Sequence, residues 1–370
     1  MPYDRSIPYN ELPLLPPAKQ VEEDISVLKK LVTASRSLAS VNASFLRLPN
    51  PTMLVNTIAL QEAKSSTAIE NIFTTEDELY KAVSGTIQEG RADSATKEVL
   101  RYREAIWEGY EAMRGNSGIT QEVILGVFRE VKNTNAGFRS PATQTIIKRG
   151  NSEFRSGETI YTPPRDEEIL RDLIENWIEY LSNDSDFPTD PLLKMCISHY
   201  QFEAIHPFAD GNGRTGRILN QLYLVNKKLL DLPVLYLSKY IIINKENYYN
   251  HLGGVTQRGD WKSWILYMLE AVEKTAILTE NLILEIIVQM EATFEHGKSK
   301  IKWYSKEVNE LVFSQPYLKS KTLGERMGVS SRTTLTKYFS ELADAKILIP
   351  KKDGKEIYYV NEELVRILGD

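Results

Sequence analysis

Apolar residues recur at helical spacing from about Val21 to Leu46, and the period predicts a helix with Leu28, Leu31, Val32 and Ser35 on one face. Asn50-Pro51-Thr52 breaks that pattern, and a second helix is predicted to about Ala63. SSTAIENIFTTEDELY follows and offers two helix starts. One is Thr67 to Glu70, which reads as a capping box with Glu70 bonding back to the start of a helix. Further helices are predicted over 94–114, 120–132 and 166–182. Asp190-Pro191 opens another, an N-cap followed by proline at the first helical position. It carries Leu192, Leu193, Cys196, Ile197 and Tyr200 inward and ends near His206-Pro207. After a run of glycines, Ile218, Leu219, Leu222, Val225 and Leu229 form one stripe, and helical spacing returns over 244–253 and 260–295.

Two stretches depart from this pattern. Residues 137–164 are rich in Thr, Ile, Gly and Ser, and 143–148 and 158–162 read as the strands of a β-hairpin. Near the other end, 297–302 (GKSKIK) reads as a linker. Beyond it the order is helix, tight turn at Gly328, helix, strand, Asp-Gly turn, strand, which matches a winged helix-turn-helix. Pro2, Pro8, Pro13, Pro16 and Pro17 make residues 1–18 an extended arm. The expected fold is mainly α, in three parts: an arm with helices over 1–93, a core over 94–296, and a winged-helix module over 297–370.

Composition narrows the function classes. Apolar content of 42% and charged content of 26% are ordinary for a globular chain. The net charge of −5 argues against a chain wholly devoted to nucleic acid. The charge is uneven, at +4 from Lys298 onward and −9 before it. Arg332, Thr333, Thr334 and Lys337 on the expected recognition helix, with Lys351, Lys352 and Lys355 on the wing, leave DNA and protein both open as its ligand. A single cysteine permits no internal disulfide and favours a reducing compartment. No apolar run approaches membrane length, so a cytoplasmic protein without membrane contact is expected.

The candidate chemistry lies in HPFADGNGRTGR, residues 206–217. Gly211 and Gly213 permit an unusual turn and let backbone N–H groups approach a ligand. That turn runs straight into a helix N-terminus, which is an anion site. Arg214 and Arg217 both fall on the first turn and are expected to converge on one polyphosphate, with Asn212 adding an amide donor. Asp210 would repel phosphate unless a cation lies between them, so it argues for Mg²⁺ carried by a nucleotide. His206, across the turn, is placed to take a proton from an attacking hydroxyl, and Phe208 to anchor the turn in the core.

HPFADGNGRTGR resembles the Fic-domain motif, His-Pro-Phe-x-Asp/Glu-Gly-Asn-Gly-Arg-x-x-Arg, at every defined position. The helical pattern over roughly 95–285 is similar to the Fic core. The resemblance implies transfer of AMP from ATP to a Ser, Thr or Tyr hydroxyl of a target protein, or of the chain itself. It implies His206 as base and Asp210 as the Mg²⁺ ligand. It puts Gly211, Asn212 and Gly213 at the α-phosphate and Arg214 and Arg217 at the β- and γ-phosphates, with Thr215 and Gly216 in the same nucleotide-binding run. Tyr248, in KENYYNHL, matches a tyrosine that lines the nucleotide pocket in relatives, and a homodimer is implied because relatives often dimerise.

Ser66 to Asn71 looks like the family's inhibitory motif, Ser/Thr-x-x-x-Glu-Gly/Asn, with Ser66, Glu70 and Asn71 at its defined positions. A Glu70 carboxylate paired with Arg217 would occupy the donor meant for the γ-phosphate. The hairpin over 143–162 resembles the family's flap, which docks a target segment as an added strand. The alternatives are an enzyme that mainly removes AMP, a DNA-binding regulator that modifies itself, and an inactive scaffold acting through the winged helix.

Overall fold

The structure is a computed structural model that describes residues 3–17, 22–48, 51–84, 92–115, 118–143, 145–149 and 158–369. Three helices open the chain: α1 (Ile25–Phe45), α2 (Pro51–Ile69) and α3 (Glu76–Val83). Then come α4 (Ser94–Gly115) and α5 (Gln121–Lys132), and the antiparallel strands β1 (Ile147–Arg149) and β2 (Glu158–Tyr161). The core continues through α6 (Glu167–Ser182), α7 (Pro191–Ile205), α8 (Asn212–Asn226), α9 (Leu237–Ile243), α10 (Lys245–Arg258) and α11 (Trp261–Lys300). The last part holds α12 (Lys306–Val312), β3 (Tyr317–Leu318), α13 (Ser320–Arg326), α14 (Arg332–Asp344), β4 (Ile349–Asp353), β5 (Glu356–Val360) and α15 (Glu362–Gly369).

Asp190 caps α7 through Leu192 N–H at 2.8 Å, with Pro191 at the first position as expected. Nearly every side chain of α7 is buried, because α6, α8 and α11 surround it. It is the central post of the core, and the turn after it inherits its rigidity. The C-terminal elements follow the order expected of a winged helix-turn-helix, with strands arranged β3-β5-β4.

Several expectations are corrected. On α1 the inward face is Val27, Ala34, Leu38, Val41 and Phe45, packed on α11, while Leu28 and Val32 are 43% and 48% exposed. The helix carries apolar residues on two faces, and only its partner selects one. The expected linker over 297–302 is mostly helix, since α11 continues to Lys300. The first hairpin strand is shorter than expected, and 150–157 lies outside the described residues.

The second helix also overruns its expected end at Ala63. It reaches Ile69 because its polar residues find buried partners. Gln61 donates to the Tyr80 hydroxyl, Ser65 bonds the Tyr236 hydroxyl at 3.2 Å, and Ser238 N–H donates to Glu62 at 2.9 Å. Thr67 is no N-cap, since its hydroxyl bonds back to Ala63 O at 2.9 Å. The capping box forms instead at Thr75 and Glu78, where α3 begins.

The wing touches α3. Asp77 accepts from Lys351 at 2.6 Å and from the Tyr317 hydroxyl at 2.7 Å, and Lys81 pairs with Asp77 at 2.7 Å and Asp353 at 2.6 Å. Burial would raise the Asp77 pKa, but Lys351, Lys81 and Tyr317 hold it well below its ordinary 3.8. A depressed carboxylate stabilises the fold above its unfolded pKa, and that stability is lost as pH falls below about 4. Asp77→Ala is expected to cost on the order of 1 kcal/mol at neutral pH and less in high salt, since the pairs are partly exposed. Thermal unfolding at two salt concentrations checks this, and an effect that does not change with salt refutes it.

Candidate active site

The turn between α7 and α8 carries His206 and the glycine run. His206 ends α7 in the left-handed region, at φ 51°, which swings the chain sharply away from the helix axis. Arg139 holds this bend. Its Nε donates to His206 O at 2.8 Å, its Nη2 to Ile205 O at 3.2 Å and to Pro164 O, and its own N–H to Pro207 O at 2.9 Å. Gly211 opens α8 at φ 87°, and a Cβ there would lie 2.9 Å from Lys132 Cδ. The first helical bond of α8 runs from Thr215 N–H to Gly211 O at 3.0 Å, so the N–H groups of Asn212, Gly213 and Arg214 form the open N-terminal turn.

Phe208 is fully buried as expected, stacked on Phe128 with centroids 3.7 Å apart. The Asn212 amide is used differently from the expectation. Its Oδ1 accepts from Phe208 N–H and its Nδ2 donates to Phe208 O, both at 2.8 Å, so the side chain clips the turn. Arg214 also departs from the expectation, because its guanidinium pairs with Glu98 of α4 and does not line the cavity. Gly216 faces α7, where a Cβ would lie 2.9 Å from Glu203 Oε1 and 3.1 Å from Phe202 Cδ1, and Thr215 is fully buried. Arg214 and Arg217 stand three residues apart on α8, and their partners, Glu98 on one side and Ser66 and Glu70 on the other, draw them to different places.

Arg217 is held by the C-terminal end of α2. Its Nε donates to Ser66 Oγ at 2.8 Å, and its Nη2 to Ser66 O at 2.9 Å and to Glu70 Oε1 at 2.8 Å. The end of α2 explains how Glu70 gets there. Asn71 sits at φ 61°, Asn71 N–H bonds Ala68 O at 3.0 Å, and Ile72 N–H bonds Thr67 O at 3.1 Å. That is a Schellman cap, which places Asn71 where only glycine or asparagine sits easily. Lys245 Nζ bonds Ile69 O, adding a cation at the negative end of the helix. Gly213 makes room for the pair, since a Cβ there would lie 2.5 Å from Glu70 Oε1. Burial opposes the Arg217 charge, but the Glu70 carboxylate outweighs it, and the Arg217 pKa is raised.

His206, Glu70, Arg217, Gly213 and Tyr248 all line one cavity of about 490 Å³. Burial pushes the His206 pKa down to about 4, so the ring is neutral at ordinary pH. Its Nδ1 lies 3.3 Å from Glu203 O; with the proton on Nδ1, Nε2 is a free base. Tyr248 is buried against His199, with its hydroxyl 2.9 Å from His199 Nε2, and so serves the core and the cavity wall together.

Two residues escaped the sequence reading. Arg139 carried no motif, and only the bend it holds reveals it. Glu203 lies one helical turn before His206, lines the cavity, and keeps Oε1 buried with no hydrogen-bond partner. Burial raises its pKa to about 7. Asp210 pairs with Lys132 and accepts Gly211 N–H at 2.7 Å, and its side chain stays 68% exposed. Among the described residues no three acidic, histidine or cysteine groups cluster as a metal site. A lone carboxylate still suits Mg²⁺ when phosphates supply the other ligands.

Residues 28–111 match the family described as Fic/DOC family N-terminal, 117–224 match the Fic/DOC family, and 289–364 match the C-terminal domain of SoFic-like protein adenylyltransferases. The chain is 28% identical over 196 residues to protein adenylyltransferase Fic of Aedes aegypti, covering 52% of this chain and 36% of that protein. It is 29% identical over 188 residues to a probable protein adenylyltransferase of Aquifex aeolicus, covering 50% of this chain and 54% of that one. The chain therefore spans about a third of the first relative's length and about half of the second's. The fold matches the crystal structure of a Fic family protein from Desulfovibrio desulfuricans with a TM-score of 0.52 and 22% identity, over 90% of this chain and 95% of that one. With the motif turn, the α2 contact and the mainly helical core all in place, the chain belongs to the Fic/DOC family.

Proposed function

We propose that this protein transfers AMP from ATP to a hydroxyl side chain of a protein, and that Glu70 holds it inactive by occupying Arg217. The observation that carries this reading is the three-bond grip of Ser66 and Glu70 on Arg217 in the cavity that neutral His206 also lines. The likeness to proteins named adenylyltransferases supports the reaction class.

Each residue then has a task that its surroundings allow. The N–H groups of the α8 N-terminal turn receive the phosphates. Arg217, once released by Glu70, clamps the terminal phosphate. Asp210 is the residue that would hold Mg²⁺, which supplies charge neutralisation when bound. His206 Nε2 takes the proton of the attacking hydroxyl as oxygen bonds to the α-phosphorus and pyrophosphate departs. The hairpin of β1 and β2 borders the cavity through Ile147, Glu158 and Ile160, where a target strand would add. With Glu70 in place, the γ-phosphate finds its arginine taken, and ATP settles with its α-phosphorus out of line.

Isotope position tests the reaction. Incubation of the Glu70→Gly protein and a cell lysate with ATP is expected to label protein from the α-phosphate and not from the γ-phosphate. Label from the γ-position would mean phosphoryl transfer and would overturn the proposal.

A further inference from the structure

Residues 3–9 lie along the flap strand β2 at the mouth of the active-site cavity. Arg5 pairs with Glu158 at 2.6 Å, the Thr162 hydroxyl donates to Arg5 O at 2.8 Å, and Tyr9 N–H donates to Thr162 O at 3.0 Å. The arm is then tied to the core. Leu15 exchanges both backbone bonds with Asn176, at 2.7 and 3.1 Å, and Gln201 donates to Pro13 O at 2.8 Å. In the flap, Ile147 pairs with Tyr161 and Lys148 with Thr159, so the ladder slips and leaves Ile160 without a partner. The Tyr3 hydroxyl lies 3.5 Å from the Ile160 carbonyl, a contact long enough to release easily. The Tyr3 ring stacks on Tyr161, whose hydroxyl donates at 2.7 Å to Ala204 O, two residues before His206. Tyr3, Arg5 and His206 line the same cavity.

We propose that Tyr3 is an AMP acceptor in cis, presented to His206 by an arm that sits on the flap where a foreign target would dock. The inference rests on the AMP-transfer reading and adds the acceptor to it. The Tyr3 Oη attacks the α-phosphorus of ATP and forms the new O–P bond. The bond from the α-phosphorus to the bridging oxygen breaks, pyrophosphate leaves, and the phenolic proton passes to His206 Nε2. Burial holds the phenol protonated, with its pKa pushed up to about 12, so its attack requires a base. Tethering raises the effective concentration of this hydroxyl well above that of any free protein target. A target must also displace the arm from β2, so self-modification and target modification compete.

The test uses the full chain carrying Glu70→Gly, incubated with ATP alone and, separately, with ATP and a cell lysate. Peptide mapping is expected to place AMP on Tyr3, with a half-time independent of protein concentration. Tyr3→Phe in the same background, with an unchanged melting temperature, is expected to lower self-labelling by about tenfold. AMP on lysate proteins with Tyr3 bare would overturn this inference and leave the AMP-transfer reading standing. A self-labelling rate proportional to protein concentration would overturn transfer in cis. AMP on no protein at all would overturn both.

Discussion

Glu70→Gly is expected to raise AMP transfer by about ten- to a hundredfold, the effect of releasing one charge-assisted pair worth roughly 1.5–3 kcal/mol. The Arg217 guanidinium is 1% exposed and spends its Nη2 on Glu70 and on the Ser66 carbonyl. Removing the carboxylate frees that donor while Ser66 still orients the side chain. The same change strips a buried cation of its counter-charge, which costs stability. The variant should therefore melt lower than wild type without nucleotide, and ATP should restore more of its melting temperature than it does for wild type. Glu70→Gln, which keeps the length and removes the charge, should fall between the two. Equal rates of AMP incorporation for wild type and Glu70→Gly would refute the brake.

His206→Ala in the Glu70→Gly background is expected to reduce transfer by about a hundred- to ten-thousandfold, the range for losing a general base. Among the described residues no second histidine lines the cavity. Glu203 is the nearest carboxylate in sequence, but its burial beside Gly216 turns it toward α8. ATP binding should survive, because the anion turn and Arg217 remain. A variant that binds ATP yet transfers nothing identifies the base; one that transfers normally refutes the role. The low His206 pKa also sets the pH profile. The ring stays neutral until pH falls toward about 4, so transfer should not fall off near pH 6.5, where an exposed histidine would protonate.

Much of the site could be read before the fold. The residues from His206 to Arg217 are contiguous, and their chemistry depends on local geometry: a helix end, a glycine turn and a helix start. Local geometry follows from nearby residues, so the turn and the place of His206 beside it were legible. Asn71 was legible only as a position of the family's motif, and its left-handed cap appears with the fold. What failed were statements about which way side chains point. Arg214 and Arg217 look equivalent in sequence, yet one meets Glu98 and the other Ser66 and Glu70. Asn212 looks like a ligand donor, yet its Oδ1 and one amide N–H clip the Phe208 backbone.

The sequence by itself determined the helical class, the capped start of α7 and the glycine turn that opens α8. Each follows from spacing and residue type within a few turns of chain. Only the tertiary structure decided that α2 continues through Ser65 and Ser66, because the partners of those polar groups, Tyr236 and Arg217, come from distant parts of the chain. It alone brought Arg139 to the bend at His206, Asp77 to the wing, and Tyr3 to the flap. Those contacts join residues tens to hundreds of positions apart, and their free energy appears only when the chain has folded them together.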